Sequence, residues 1–73
     1  MYFTKIVKTS HYIRFHEKSF PWSKVVEFVL TNKDRRKRGD KIKIETGKYY
    51  ILGEIKNHRF EIINAKWKWL IIH

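Results

Sequence analysis

The stretch Asp40 to Trp67, DKIKIETGKYYILGEIKNHRFEIINAKW, limits what this chain can fold into more than any other, because it reads as three strands joined by two short turns. Ile42 and Ile44 alternate with Lys41, Lys43 and Glu45, the period of two expected where one sheet face is buried and the other is wet. Thr46-Gly47-Lys48 supplies a tight turn whose glycine is free to take a positive φ, and Tyr49, Tyr50, Ile51 and Leu52 resume with residues suited to a pleated surface. A second turn falls at Lys56-Asn57-His58-Arg59, where Asn57 tolerates the left-handed region. Phe60, Ile62 and Ile63 then open the third strand. An antiparallel meander of this size does not stand alone in water, so the remaining chain must cover one of its faces.

Upstream, Tyr2 to Lys8 (YFTKIVK) is rich in aromatic and branched residues and reads as an N-terminal strand. Thr9 and Ser10 carry hydroxyls able to accept from the first free N–H groups of a helix, which predicts helix one from Ser10 to about Lys18. Tyr12, Phe15 and Ser19 share one face of it, with Ile13 and His16 close beside, while His11, Arg14 and Lys18 recur at i, i+3 and i+7 on the other. That stripe presents an imidazole and cations together and is the best candidate for chemistry. Phe20-Pro21-Trp22 interrupts the pattern, since proline lacks an N–H and excludes the α region for the residue before it. Ser23 then caps a second helix with Val25, Val26, Phe28, Val29 and Leu30 as its wide apolar face and Lys24, Glu27 and Thr31 left to solvent. Asn32 to Arg38, NKDRRKR, reads as an exposed charged loop closed by Gly39, because successive basic residues do not pack. Residues 67 to 73, WKWLIIH, keep the alternation with Trp67, Trp69 and Ile71 on one side, as an extension of the last strand or a tail docked on the sheet.

A chain of 73 residues makes one domain, 1–73. Five Phe, four Tyr and three Trp let so short a chain bury much area per residue, and with no cysteine the fold rests on packing alone. No apolar run approaches the roughly 20 residues that span a bilayer and the N-terminus has no signal-peptide core, so the expectation is a cytoplasmic protein without a membrane partner. The net charge of +10 is the strongest functional hint in the composition. Like charge at that density repels itself and is tolerable where a polyanion or an acidic protein is the usual partner, with RNA or DNA the default. An anionic membrane would call for a basic amphipathic helix, and the cations here are spread over loops, strands and helix alike. A solvated lysine-rich surface with no ligand is the bland alternative.

The order strand, helix, helix and three strands, an α+β layout with both helices on one face of the meander, resembles the RelE/ParE-like small toxin fold. Thr9-Ser10-His11-Tyr12-Ile13-Arg14, Phe20-Pro21-Trp22-Ser23 and Gly47 to Glu54 (GKYYILGE) are similar to stretches of the small RelE-like and BrnT-like proteins, over Lys5 to about Lys66. The resemblance implies a metal-independent endoribonuclease, the toxin of a toxin-antitoxin pair. In such enzymes a base draws the proton from an RNA 2′-hydroxyl, cations hold the phosphate, and an acid protonates the leaving 5′-oxygen, with no metal and no cofactor. On that resemblance His11 stands at the helix-one histidine as general acid or base, its ordinary pKa of roughly 6.5 suiting both roles. Arg14 would stabilise charge developing on the phosphate, and Lys18 or the run Arg35-Arg36-Lys37-Arg38 would position the RNA backbone. Tyr50, His58 and Arg59 are further candidate contacts. An acidic antitoxin is the implied protein partner, to a monomer or homodimer.

The same residues have structural readings. His11 equally suits a helix cap or a partly buried structural role, and His16 faces the apolar side. Zinc on His11 and His16 is disfavoured, because five residues turn the second ring about 140° from the first on an ideal helix. Trp67 and Trp69 are able to stack on exposed bases, although filling a small core or closing a dimer interface fits them better. Glu54 and Glu61 read as partners of nearby Lys and Arg. The alternative to the nuclease is a non-enzymatic DNA- or RNA-binding module, a regulator or chromatin-like protein. Both readings expect the sheet to offer a polyanion one continuous cationic surface with the His11 imidazole at its edge.

Overall fold

The computed structural model describes residues 4–32 and 35–68. β1 (Lys5–Lys8) is followed by α1 (Ser10–Phe15) and α2 (Trp22–Thr31), then by β2 (Arg35–Arg38), β3 (Lys41–Glu45), β4 (Tyr49–Lys56) and β5 (Arg59–Trp67). The strands form one sheet in the order β1-β5-β4-β3-β2, with β1 parallel to β5 and the other neighbours antiparallel. The α+β class and the meander of β3, β4 and β5 are as expected, but the element order is not. Four strands follow the helices rather than three, because Arg35–Arg38 is an edge strand and not a loop. Gly39, at φ +64, and Asp40 form a two-residue connection across which Arg38 pairs with Lys41. A glycine in the left-handed region gives such a hairpin the twist its strands need. Consecutive cations tolerate the extended state because alternate side chains leave on opposite faces. Arg35 also ties the strand to the helices, since its guanidinium donates to the carbonyls of Val29 and Asn32 at the end of α2, where unpaired carbonyls and the helix dipole favour a cation.

The core lies between the helices and one face of the sheet. Tyr12, Phe20, Val25 and Val29 meet Ile42, Ile44, Ile51, Phe60, Ile62 and Ala65, all fully buried. β3 and β4 keep strict alternation, whereas β5 does not. Ile62 opposes Gly53 and Asn64 opposes Leu52, so Ile63 is an extra residue and the strand bulges there. The bulge moves the inward set from Phe60 and Ile62 to Ala65 and Trp67. Trp67 therefore packs under the sheet, stacking on Phe20 with ring centroids 4.5 Å apart and donating its indole N–H to the Ser19 carbonyl. Of the uses expected for Trp67, the core is the one it takes. Trp69 and the rest of the tail lie outside the described residues.

α1 ends at Phe15, short of the predicted Lys18, and Tyr12 is the cause. Its carbonyl accepts from the N–H groups of both His16 and Glu17, closing the last turn, and its hydroxyl donates to the Phe20 carbonyl across 2.6 Å. That bond needs the chain to double back so that Phe20 enters the core. Tyr12 alone is buried in α1, while Ile13 and Phe15, expected beside it, are exposed. α2 begins at Trp22 with Pro21 at its N-cap, where the sequence suggests a Ser23 cap, and Leu30 of its expected apolar face is exposed. In the first turn of the meander the Thr46 hydroxyl accepts from the N–H groups of Lys48 and Tyr49, so Gly47 does not adopt a positive φ. In the second, Asn57 and His58 both do, at +50 and +62, the primed geometry of a two-residue hairpin.

Candidate nucleic-acid interface

The side of the sheet away from the helices carries the candidate site. Register sets Arg36 and Arg38 of β2 beside Lys43 and Lys41 of β3, on the face opposite the buried Ile42 and Ile44. On β4, Leu52 stands next to Lys43, and Tyr50 stands between Glu45 and Lys66. Arg36, Lys37, Arg38, Lys41, Lys43 and Leu52 line an open groove of about 440 Å³. Lys37 reaches it from around the sheet edge, since its register partner is Ile42.

The carboxylates of this open face are engaged locally. Glu45 takes Lys68 at 2.8 Å and Lys43 at 3.4 Å, Glu54 takes Lys56 at 3.7 Å, and Glu61 takes Arg59 at 3.5 Å. Hydrogen bonds from Lys68 and then Lys43 hold the Glu45 carboxyl below its ordinary value. Arg36, Lys37, Arg38 and Lys41, by contrast, have no carboxylate partner among the described residues. Cations gathered at one corner, where among the described residues they outnumber the nearby Asp40 and Glu54 carboxylates, focus a positive potential that an arriving anion relieves.

The remaining candidates fall elsewhere. Arg35 points to the helix side, committed to the carbonyls of α2. His58 and Arg59 lie at the β4–β5 turn, with Arg59 paired to Glu61 and the His58 carbonyl accepting from the Thr4 N–H and hydroxyl. Lys18 is exposed in the turn beyond α1, so the stripe His11, Arg14, Lys18 stops at Arg14. His11 and Arg14 do come together: with Ser10 and Phe15 they line a shallow depression of about 260 Å³. Thr9 fixes the start of that helix, its hydroxyl donating to the Ile62 carbonyl and accepting from the Tyr12 N–H.

The His11 ring lies 4.9 Å from Phe15 and 5.1 Å from His16. The two imidazoles are not held about 140° apart as on a continuous helix, because α1 ends at Phe15 and His16 is its C-cap. They gain no third ligand, however: no group of three or more His, Cys, Asp or Glu is placed to hold a metal among the described residues. Nε2 of His16 is buried without a hydrogen-bond partner. Burial, then the neighbouring His11 imidazole and the Lys66 ammonium, hold the His16 pKa below its ordinary value.

The single cationic surface with an imidazole at its edge is not what the fold makes. α1 packs against β5, on the helical side of the sheet, whereas Arg36 and Arg38 are on the open side at the opposite edge. β2 and β5 are three strand spacings apart, about 14 Å before α1 is reached. Lys41 and Lys43 also belong to this candidate surface, although the sequence alone does not single them out. The alternation that buries Ile42 and Ile44 finds them once Gly39-Asp40 is recognised as a hairpin connection. No protein-family model, curated protein or solved structure matches the chain. No helix among the described residues is long and apolar enough to cross a membrane.

Proposed function

We propose that this small α+β protein binds nucleic acid on the open face of its sheet, holding the phosphate backbone with Arg36, Arg38, Lys41 and Lys43. One observation carries the reading: among the described residues the carboxylates of that face are each taken by a neighbouring cation, and the corner formed by β2 and β3 is left with positive charge and a groove. Such a surface recognises phosphates without reading sequence, and each phosphate neutralised releases counterions. Replacing Arg36 and Arg38 by glutamate tests it. The slope of log affinity against log salt should flatten by roughly one unit for each phosphate no longer held, while the melting temperature stays near that of the unmodified protein. An unchanged slope would sink the assignment.

A ribonuclease activity of the RelE-like kind is a second reading, favoured by the depression that joins His11 to Arg14 with His16 beside it. It requires RNA to pass from the cationic corner around the sheet, past β1 at the far edge, to α1. Metal-free cleavage in EDTA that is lost in His11→Ala, with affinity retained, would support it. Intact RNA after incubation with the unmodified protein would remove it and leave the non-enzymatic binding module.

A further inference from the structure

We infer that the nucleic acid taken by this face is single-stranded, with a base laid on Tyr50 and Leu52 while its phosphates lie on the cations of β2 and β3. The inference rests on the binding reading above and names its substrate class. Tyr50 and Leu52 are two apart on β4 and leave on the same open side, about 7 Å from one another, as a short uncharged strip. Lys43 borders the strip through its pairing with Leu52 and Lys66 through its pairing with Tyr50.

Tyr50 differs from the other tyrosines of the described residues. The hydroxyl of Tyr12 donates to the Phe20 carbonyl, and that of Tyr49 accepts from the Asn32 amide. Both rings belong to the core. Tyr50 is half-buried on the solvent side, and its hydroxyl makes no hydrogen bond among the described residues. Among the described residues its one ring contact is the Lys66 ammonium, 5.4 Å from the centroid. A lysine over an exposed ring is a weak and movable occupant; a base stacks in its place and the ammonium swings to the phosphate.

A duplex makes poor use of this face. It shows phosphate and sugar on its outside and hides the faces of its bases, so it would meet the cations and leave the strip idle. Every base of a single strand has a free π-face to lay on Tyr50. Glu54 and Glu61, directly opposite one another across β4 and β5, bound the strip on the side of the β4–β5 turn. The path for a polyanion therefore runs from Arg38 and Arg36 through Lys43 to Lys66, away from His58 and Arg59.

Fluorescence anisotropy tests this with one short mixed-sequence oligonucleotide, labelled at one end and offered as single-stranded RNA, single-stranded DNA and duplex DNA. Both single strands should bind about tenfold more tightly than the duplex, and Tyr50→Ala should weaken them by about tenfold, one stacked base, with the salt slope kept. Tyr50→Phe, which retains the ring, should bind as the unmodified protein does, and duplex affinity should be the same in all three. A duplex bound as tightly as the single strands, or a Tyr50→Ala protein that holds single strands normally, overturns the inference and leaves a general phosphate-binding face. Failure of every form to bind overturns the parent reading as well.

Discussion

Gly53 occupies a place where no side chain fits. A Cβ there would run into the Phe60 ring, 2.8 Å from Cδ1, and lie 2.9 Å from the Glu61 carbonyl oxygen. The ring covers the glycine at the point where β5 bulges, so ring and bulge depend on the same missing side chain. Gly53→Ala should lower the unfolding free energy by about 1–3 kcal/mol, read from denaturant midpoints. A variant as stable as the parent would mean that Phe60 repacks freely. His16 is a second residue with a measurable consequence. Its imidazole is harder to protonate in the folded protein than in the unfolded chain, mainly because it is buried. Between the folded pKa and the unfolded value of about 6.5 the unfolded chain holds more protons, so stability is lost as pH falls through that window and is flat, for this group, on either side of it. Melting temperatures taken from neutral to mildly acid pH should fall for the parent and fall less for His16→Gln. Matching slopes would assign the acid sensitivity to other groups. In the sequence His16 was legible as facing the apolar side, but the early stop of α1 was not, because it follows from Tyr12 reaching Phe20, a tertiary contact.

Among the elements, β3 and β4 could be read directly, since Ile42, Ile44, Tyr49 and Ile51 alternate and all face the core. β2 could not, because RRKR has neither alternation nor strand propensity and becomes a strand by pairing with β3. The bulge in β5 is hidden in the sequence by Ile62 and Ile63, adjacent apolar residues that mask the change of phase. Within β2 the proposal gives the arginines different roles, and the difference is testable. Arg35→Ala should destabilise the fold by about 0.3–1 kcal/mol through the uncapped end of α2 while the salt dependence of nucleic-acid binding stays as it was. Glutamate at Arg36 and Arg38 should do the reverse. If Arg35→Ala changes the slope as well, its guanidinium leaves α2 to meet phosphate.

At the scale of the whole molecule the net charge of +10 works against compactness. Salt should therefore raise the melting temperature of the free protein as it screens that repulsion, while weakening the proposed hold on nucleic acid. Calorimetry over a salt series checks the first effect, and a melting temperature indifferent to salt would show the surface charges to be compensated in the native state. The candidate site as a whole was only half legible: the net charge pointed towards a polyanion without placing it, and the position of His11 apart from Arg36 and Arg38 depends on strand order, which no local pattern encodes. Finally, β2 ends the sheet on one side among the described residues, and its row of positive charge discourages a second molecule from lining up alongside it. A bound polyanion cancels that deterrent. Mixtures near charge balance should accordingly turn cloudy and clear again when either component is in excess, a turbidity maximum that the glutamate variants of Arg36 and Arg38 would shift.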